Sequence, residues 1–243
     1  MTAPHFCYFG MNAMAAVETT DHTSCVEAAD FYGPLEQLAT LTHAAGRPVI
    51  LYVPACYGLP LERLESEITF WLQRIADAGL LRDVAAVRPC DEPDLHGLTD
   101  SEVKARIIAV HAAMARFDAT RGKPIAVFWA CSSRARPGIE FVDWLGCDSY
   151  GDGCKVLEEY YPAFEQLVNR EPDRRLVAIA GGASPWRQEP TCFVEKVMRD
   201  DRYIALEAFI RQTVTDRGET YMGIRENGMA PLYREAGRKV LGQ

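Results

Sequence analysis

Short apolar runs alternate with amphipathic segments along this 243-residue chain, and that alternation restricts the folds open to it. The runs fall at residues 6–10, 24–28, 49–54, 84–89, 125–130, 144–150, 176–180 and 221–224. Several are apolar almost throughout, as strands buried on both faces of a parallel sheet are. Between them, residues 61–81, 101–117, 156–168 and 193–214 carry apolar side chains at helical spacing. Thr99-Asp100-Ser101-Glu102 supplies an N-cap and an acidic first turn. Gly46-Arg47-Pro48 and Gly122-Lys123-Pro124 each stop a helix and feed a strand. Strands alternating with helices build right-handed βαβ units, and eight of them predict a single-domain (β/α)8 TIM barrel. The second unit is expected to be irregular because its strand is short, and the link from Ala130 to Val142 leaves little room for a helix. A doubly wound open sheet is the alternative; the strand count and the absence of a GxGxxG turn count against it.

A net charge of −8 disfavours nucleic acid and anionic membrane as partners, since both need a basic face. No apolar run approaches membrane-spanning length and residues 1–10 do not read as a secretory signal, so the expectation is a cytoplasmic protein. The eight cysteines show neither CxxC pairs nor zinc-ribbon spacing. They read mostly as reduced thiols, with Cys7, Cys25, Cys90 and Cys147 acting as small hydrophobes, and no metal or other cofactor is expected.

Residues 84–94, VAAVRPCDEPD, end an apolar strand in three carboxylates around a proline. Parallel sheets present ligands at the carboxyl ends of their strands, so Asp91, Glu92 and Asp94 are candidate site residues. The run Val87-Arg88-Pro89-Cys90-Asp91-Glu92-Pro93 resembles the Asn/Asp-Glu-Pro end of strand four in TIM-barrel glycoside hydrolases. Residues 142–150, VDWLGCDSY, resemble the sixth-strand pattern of that superfamily, with Asp148 and Tyr150 at the barrel mouth, and residues 45–50, AGRPVI, resemble its passage into strand three. The resemblance implies cleavage of a glycosidic bond in an oligosaccharide or glycan, with Glu92 as proton donor. Neighbouring Asp91 is a charge of the kind that raises such a donor's pKa.

The chain departs from the superfamily at strand seven, where retaining members carry their nucleophilic Glu: here the strand ends Ala180-Gly181-Gly182-Ala183-Ser184. Asp148 and Glu226 are then the candidate opposing carboxylates, ahead of Asp94 and Asp152; a substrate acetamido group is a further possible nucleophile. Tyr57, Trp129, Tyr150 and Trp186 fall at or just beyond strand ends, where flat rings stack on sugars. Arg88 and Arg225 are placed to orient Glu92 and Glu226, or to form plain structural ion pairs. His96 reads as a shuttle or a solvated loop residue, and His22 with Asp21 and Glu18 as a candidate lining of the first loop. Two rival readings stay open. One is a non-catalytic carbohydrate-binding or assembly barrel that has lost its nucleophile. The other is a phosphate-binding isomerase or lyase that cradles its ligand on the Gly181-Gly182 turn.

Overall fold

The computed structural model describes residues 4–29, 34–53, 59–130, 135–216 and 218–243. Eight parallel strands form a single sheet: β1 (His5–Tyr8), β2 (Val26–Ala28), β3 (Val49–Tyr52), β4 (Val84–Asp91), β5 (Ile125–Ala130), β6 (Trp144–Asp148), β7 (Arg175–Gly181) and β8 (Tyr203–Phe209). The sheet runs from β2 through β3 to β8 and on to β1. A single bridge between Met11 and Ala28, with Met11 N–H donating to Glu27 O at 2.8 Å, brings β1 back against β2. The result is a nearly closed (β/α)8 barrel.

The helices that cover it are α1 (Ala13–Glu18), α2 (Pro34–His43), α3 (Leu61–Asp77), α4 (Asp100–Met114), α5 (Gly153–Glu159), α6 (Tyr161–Arg170), α7 (Thr191–Arg199) and α8 (Ala230–Val240). Their apolar stripes face the strands: Leu64, Ile68, Leu72 and Ile75 of α3 recur every three or four residues, and all are buried. At the start of α4 the Thr99 hydroxyl accepts from Glu102 N–H while the Glu102 carboxylate accepts from Thr99 N–H at 2.8 Å, a reciprocal capping box. Among the described residues the link from β5 to β6 holds only a 3-10 turn at Ile139–Phe141, whereas β6 is followed by both α5 and α6.

Seven of the eight strands lie where the apolar runs predict them; the eighth does not. Residues 193–214 are not one helix but α7, a turn at Asp200-Asp201, and β8. The misplacement has a physical cause: β8 carries the ionisable Glu207 in its middle, which breaks the apolar run expected of a buried strand. Residues 221–224, read as strand eight, instead begin with the last residue of a two-stranded antiparallel hairpin over the barrel mouth, β9 (Val214–Asp216) with β10 (Glu219–Tyr221).

The cysteine expectation also needs correction. Cys154 at the start of α5 and Cys192 at the start of α7 form a disulfide with a Cα–Cα distance of 5.4 Å, and Cys90 and Cys147 are disulfide-bonded as well. Cys7 and Cys25 are free and buried. Sequence spacing does not reveal the Cys154–Cys192 pair, because it joins two helices that only the barrel brings together. No helix among the described residues is long and apolar enough to cross a membrane.

Candidate active site

A cavity of about 990 Å³ opens at the carboxyl ends of the strands, and Asp91, Glu92, Asp148 and Glu207 of the barrel and Glu219 of the hairpin contribute carboxyl groups to its lining. Two irregularities of β4 bring the first two there. Pairing with β5 slips between Val87 and Cys90, where three residues of β4 oppose two of β5. Pro89, with no N–H to donate, lies within this bulge. Residues three apart on a regular strand face opposite ways; across the bulge Arg88 and Asp91 both face the interior and pair at 2.6 Å. Glu92 then takes a left-handed backbone conformation, φ +43°, with its N–H donated to Phe128 O at 2.9 Å. A non-glycine residue there costs roughly 1–2 kcal/mol, which the surrounding barrel sustains so that two consecutive carboxylates enter one cavity.

Asp148 at the end of β6 lines the cavity with Glu92. Its Oδ2 accepts the Tyr150 hydroxyl proton at 2.5 Å. Burial, followed by the charges of Asp148 and Asp91, pushes the Glu92 carboxyl up to about 9. Burial and Asp91 push Asp148 to about 7, against the opposing pull of the Tyr150 hydrogen bond. Neighbouring carboxyl groups in one buried site resist ionising together, and Glu92, raised the further, is the group that keeps its proton at neutral pH.

Below this pair lies a charge cluster. Arg88 is fully buried and pairs with Glu27, with Asp91, and with Glu207 at 3.5 Å. Its guanidinium carbon lies 4.4 Å from the ring centre of Phe9, 4.5 Å from that of Phe128 and 5.2 Å from that of Tyr52. Burial opposes its charge, but Asp91, Glu27 and Glu207 outweigh burial and hold it protonated. One cation does not compensate three carboxylates, so burial raises Glu27 to about 7 and lifts Glu207 well above the usual range.

The aromatic wall is built from Tyr150, Trp186, Phe209 and Tyr221. Trp186 packs on Tyr150 at 4.2 Å between ring centres and stacks on Tyr221 at 5.4 Å, joining the hairpin to the strand ends. Gly181, the last residue of β7, makes this packing possible. A Cβ there would lie 2.2 Å from Tyr150 Cδ1, so the Tyr150 ring fills the volume an inward side chain at the end of strand seven would take.

Several sequence-derived candidates lie elsewhere. Trp129 is fully buried on the outer face of β5, stacked on Phe164 of α6 at 5.8 Å with its ring N–H donated to Pro137 O. Side chains alternate along a strand, and here Phe128, not Trp129, has the inward parity. Glu226 and Arg225 pair with each other at 2.5 Å outside the cavity lining, since the turn that bears them follows the hairpin and not a barrel strand. Asp94 is also outside the lining; its Oδ1 accepts Ala130 N–H at 3.1 Å and braces the end of β5. Asp152 caps α5. His22 is buried between Asp21 and the Tyr8 hydroxyl, away from the cavity, whereas His96 lines it. Tyr57 lies outside the described residues.

Glu27 and Glu207 escaped sequence reading. A lone carboxylate at an inward position of an otherwise apolar strand, as in Leu206-Glu207-Ala208, was the available signal. The Gly181-Gly182 turn does not form a phosphate cradle. Gly181 N–H is donated to Gln188 Oε1 at 2.6 Å and Gly182 N–H to Ala180 O at 3.1 Å, so neither is offered to a ligand. A Cβ at Gly182 would collide with Ile224 and Tyr233, so close packing is what requires glycine there. Among the described residues no group of three or more His, Cys, Asp or Glu side chains is arranged to hold a metal ion.

The barrel with this mouth superposes on a GH113 β-1,4-mannanase at a TM-score of 0.67, with 11% identity over 100% of both chains. What the two share at this identity is the fold, a (β/α)8 TIM barrel. A GH17 β-1,3-glucanosyltransferase from Rhizomucor miehei matches at 0.61 with 14% identity, over 90% of this chain and 92% of that one. Bacillus subtilis mannanase man26 matches at 0.56 with 12% identity, over 86% and 81%. No protein-family profile matches the sequence, and no curated protein matches it.

Proposed function

We propose that this barrel is a glycoside hydrolase acting on an oligosaccharide or glycan, with Glu92 as the proton donor to the departing oxygen. The observation that carries the reading is the Glu92–Asp148 pair at the mouth of the barrel. A carboxyl group that keeps its proton at neutral pH, beside a cavity large enough for a sugar and walled by Trp186 and Tyr221, has the properties general acid catalysis demands. Asp148 stands beside Glu92 and not across the cavity from it. Its Oδ2 is taken up by the Tyr150 hydroxyl and its charge acts on Glu92, so Asp148 is assigned proton management and not attack on the sugar. Arg88, through Asp91, fixes the strand-four end that presents Glu92.

The missing strand-seven carboxylate also supports a second reading, a barrel that binds glycan without cleaving it. The Cys154–Cys192 disulfide favours an oxidising compartment over the cytoplasm for either one. A panel of β-linked manno-, gluco- and galacto-oligosaccharides, assayed for reducing-end release with wild type and Glu92→Gln, separates the two. Release by wild type alone supports the hydrolase. Binding without release by either protein moves the assignment to the binder.

A further inference from the structure

Resting on the hydrolase reading, we propose that Tyr150 is the nucleophile of the reaction, with Asp148 as the base that takes its proton.

Three observations converge on this oxygen. The first is the exchange at the end of strand seven. Gly181 leaves an inward position without a side chain, and the Tyr150 ring occupies that volume from the neighbouring strand end. The second is that the cavity carboxylates of the strands are already committed. Asp91 is tied to Arg88 at 2.6 Å, Glu207 is fully buried and also pairs with Arg88, Asp148 holds the Tyr150 hydroxyl, and Glu219 of β10 accepts the Tyr221 hydroxyl proton at 2.8 Å. The third is the hydroxyl itself, which is fixed at both ends of its ring. Trp186 at 4.2 Å and Phe209 at 5.5 Å hold the ring, and Asp148 Oδ2 accepts the phenolic proton at 2.5 Å. Tyr150 and Glu92 both line the one cavity, so a nucleophile and an acid can reach the same bound sugar.

The steps balance. In the first, the Tyr150 oxygen bonds to the anomeric carbon as its proton passes to Asp148, the bond to the leaving oxygen breaks, and Glu92 delivers its proton to that oxygen. The product is an aryl glycoside of the protein. In the second, water attacks the anomeric carbon, Glu92 takes the water proton, the bond to Tyr150 breaks, and Asp148 returns the proton to the phenolate. Each step inverts the anomeric carbon, so the two together retain its configuration. Burial and the surrounding carboxylates disfavour a free tyrosinate, which makes proton transfer concerted with attack. Asp148, near 7, is basic enough to accept the proton at neutral pH.

The test uses 2,4-dinitrophenyl 2-deoxy-2-fluoro-β-glycosides of mannose, glucose and galactose, which form the covalent intermediate quickly and hydrolyse it slowly. The expected result is dinitrophenol release and a protein mass increase of one fluorosugar, mapped by tandem mass spectrometry to the peptide and side chain of Tyr150. Tyr150→Phe is expected to lose at least a thousandfold in turnover, a loss that a merely structural tyrosine would also show. The discriminating variant is therefore Tyr150→Gly with sodium azide, which should restore turnover of the dinitrophenyl glycosides and give the glycosyl azide of inverted configuration. Glu92-dependent cleavage of unmodified oligosaccharides with an inverted product, or with the adduct on another residue, overturns the nucleophile and leaves the hydrolase standing. Absence of cleavage and of adduct with every glycoside tested overturns both.

Discussion

Replacing Asp148 by Asn should lower sharply the pH at which Glu92 gives up its proton. An ordinary glutamic acid at pH 7 is protonated in only about one molecule in 500. At about 9, Glu92 is protonated in roughly 99 of 100. Burial is the larger cause of the displacement and the negative charge on Asp148 the next. Two unit charges about 4 Å apart interact by about 4 kcal/mol at the effective dielectric of a protein surface, equivalent to about 3 pH units. Asn keeps the shape of the side chain and removes that charge, and its amide can donate to a Glu92 carboxylate, which acts in the same direction. Burial is nonetheless the larger cause of the rise from 4.5 to about 9, which limits the Asp148 share to about 2 pH units, so the Glu92 midpoint in the variant should fall by about that much and stay above the normal range through burial and Asp91. The assay needs no substrate: protein labelled with ¹³C at the glutamate carboxyl carbon is titrated by NMR, with Glu92→Gln assigning the resonance. A Glu92 midpoint unchanged in Asp148→Asn, or a wild-type midpoint between 4 and 5, would refute the coupling from which the acid role is argued.

Three further outcomes follow from the same structure. Cys154→Ser/Cys192→Ser opens a link spanning 38 residues, and the loop-entropy estimate gives a loss of about 4 kcal/mol, read as a lower urea midpoint with a steeper slope, since the opened unfolded chain exposes more surface. Arg88→Met strands its carboxylate partners without their cation and should cost about 3–5 kcal/mol at neutral pH, with part of the loss recovered as pH falls below about 7 and Glu27 takes up a proton. The folded protein holds protons on Glu92, Asp148 and Glu27 that the unfolded chain releases near pH 4, so the stability these three contribute is complete below about pH 4 and is lost as pH rises toward 9. A urea midpoint that rises between pH 5 and 9 would contradict that sign, and Glu92→Gln should flatten the decline.

Much of the barrel was legible because its strands are buried on both faces and its helices on one, and both conditions write a period into the sequence. Strand eight was not, since Glu207 faces an interior made polar by Arg88, and a charged interior erases the apolar run that marks a strand. Asp91, Glu92 and Asp148 stood out as carboxylates at strand ends, and Tyr150 and Trp186 as aromatics beside them. Trp129 was misplaced by a single step of parity, which the β5 sequence Ile125-Ala126-Val127-Phe128-Trp129 cannot settle because it is apolar on both faces. Glu226 was misplaced with the strand thought to precede it. The role of Gly181 was hidden for a different reason. What matters there is the space it yields to Tyr150, a contact between two strand ends that the sequence separates by 31 positions, 181 − 150.

The central claim, that Glu92 protonates a departing glycosidic oxygen, is tested most directly by leaving-group dependence. Wild type and Glu92→Gln are compared on a natural β-linked oligosaccharide and on the matching 2,4-dinitrophenyl glycoside, whose departing phenolate needs no proton. The account predicts that Glu92→Gln loses at least a thousandfold in kcat/KM on the oligosaccharide and less than tenfold on the dinitrophenyl glycoside. Equal losses on both substrates, or full activity of Glu92→Gln on the oligosaccharide, would contradict it.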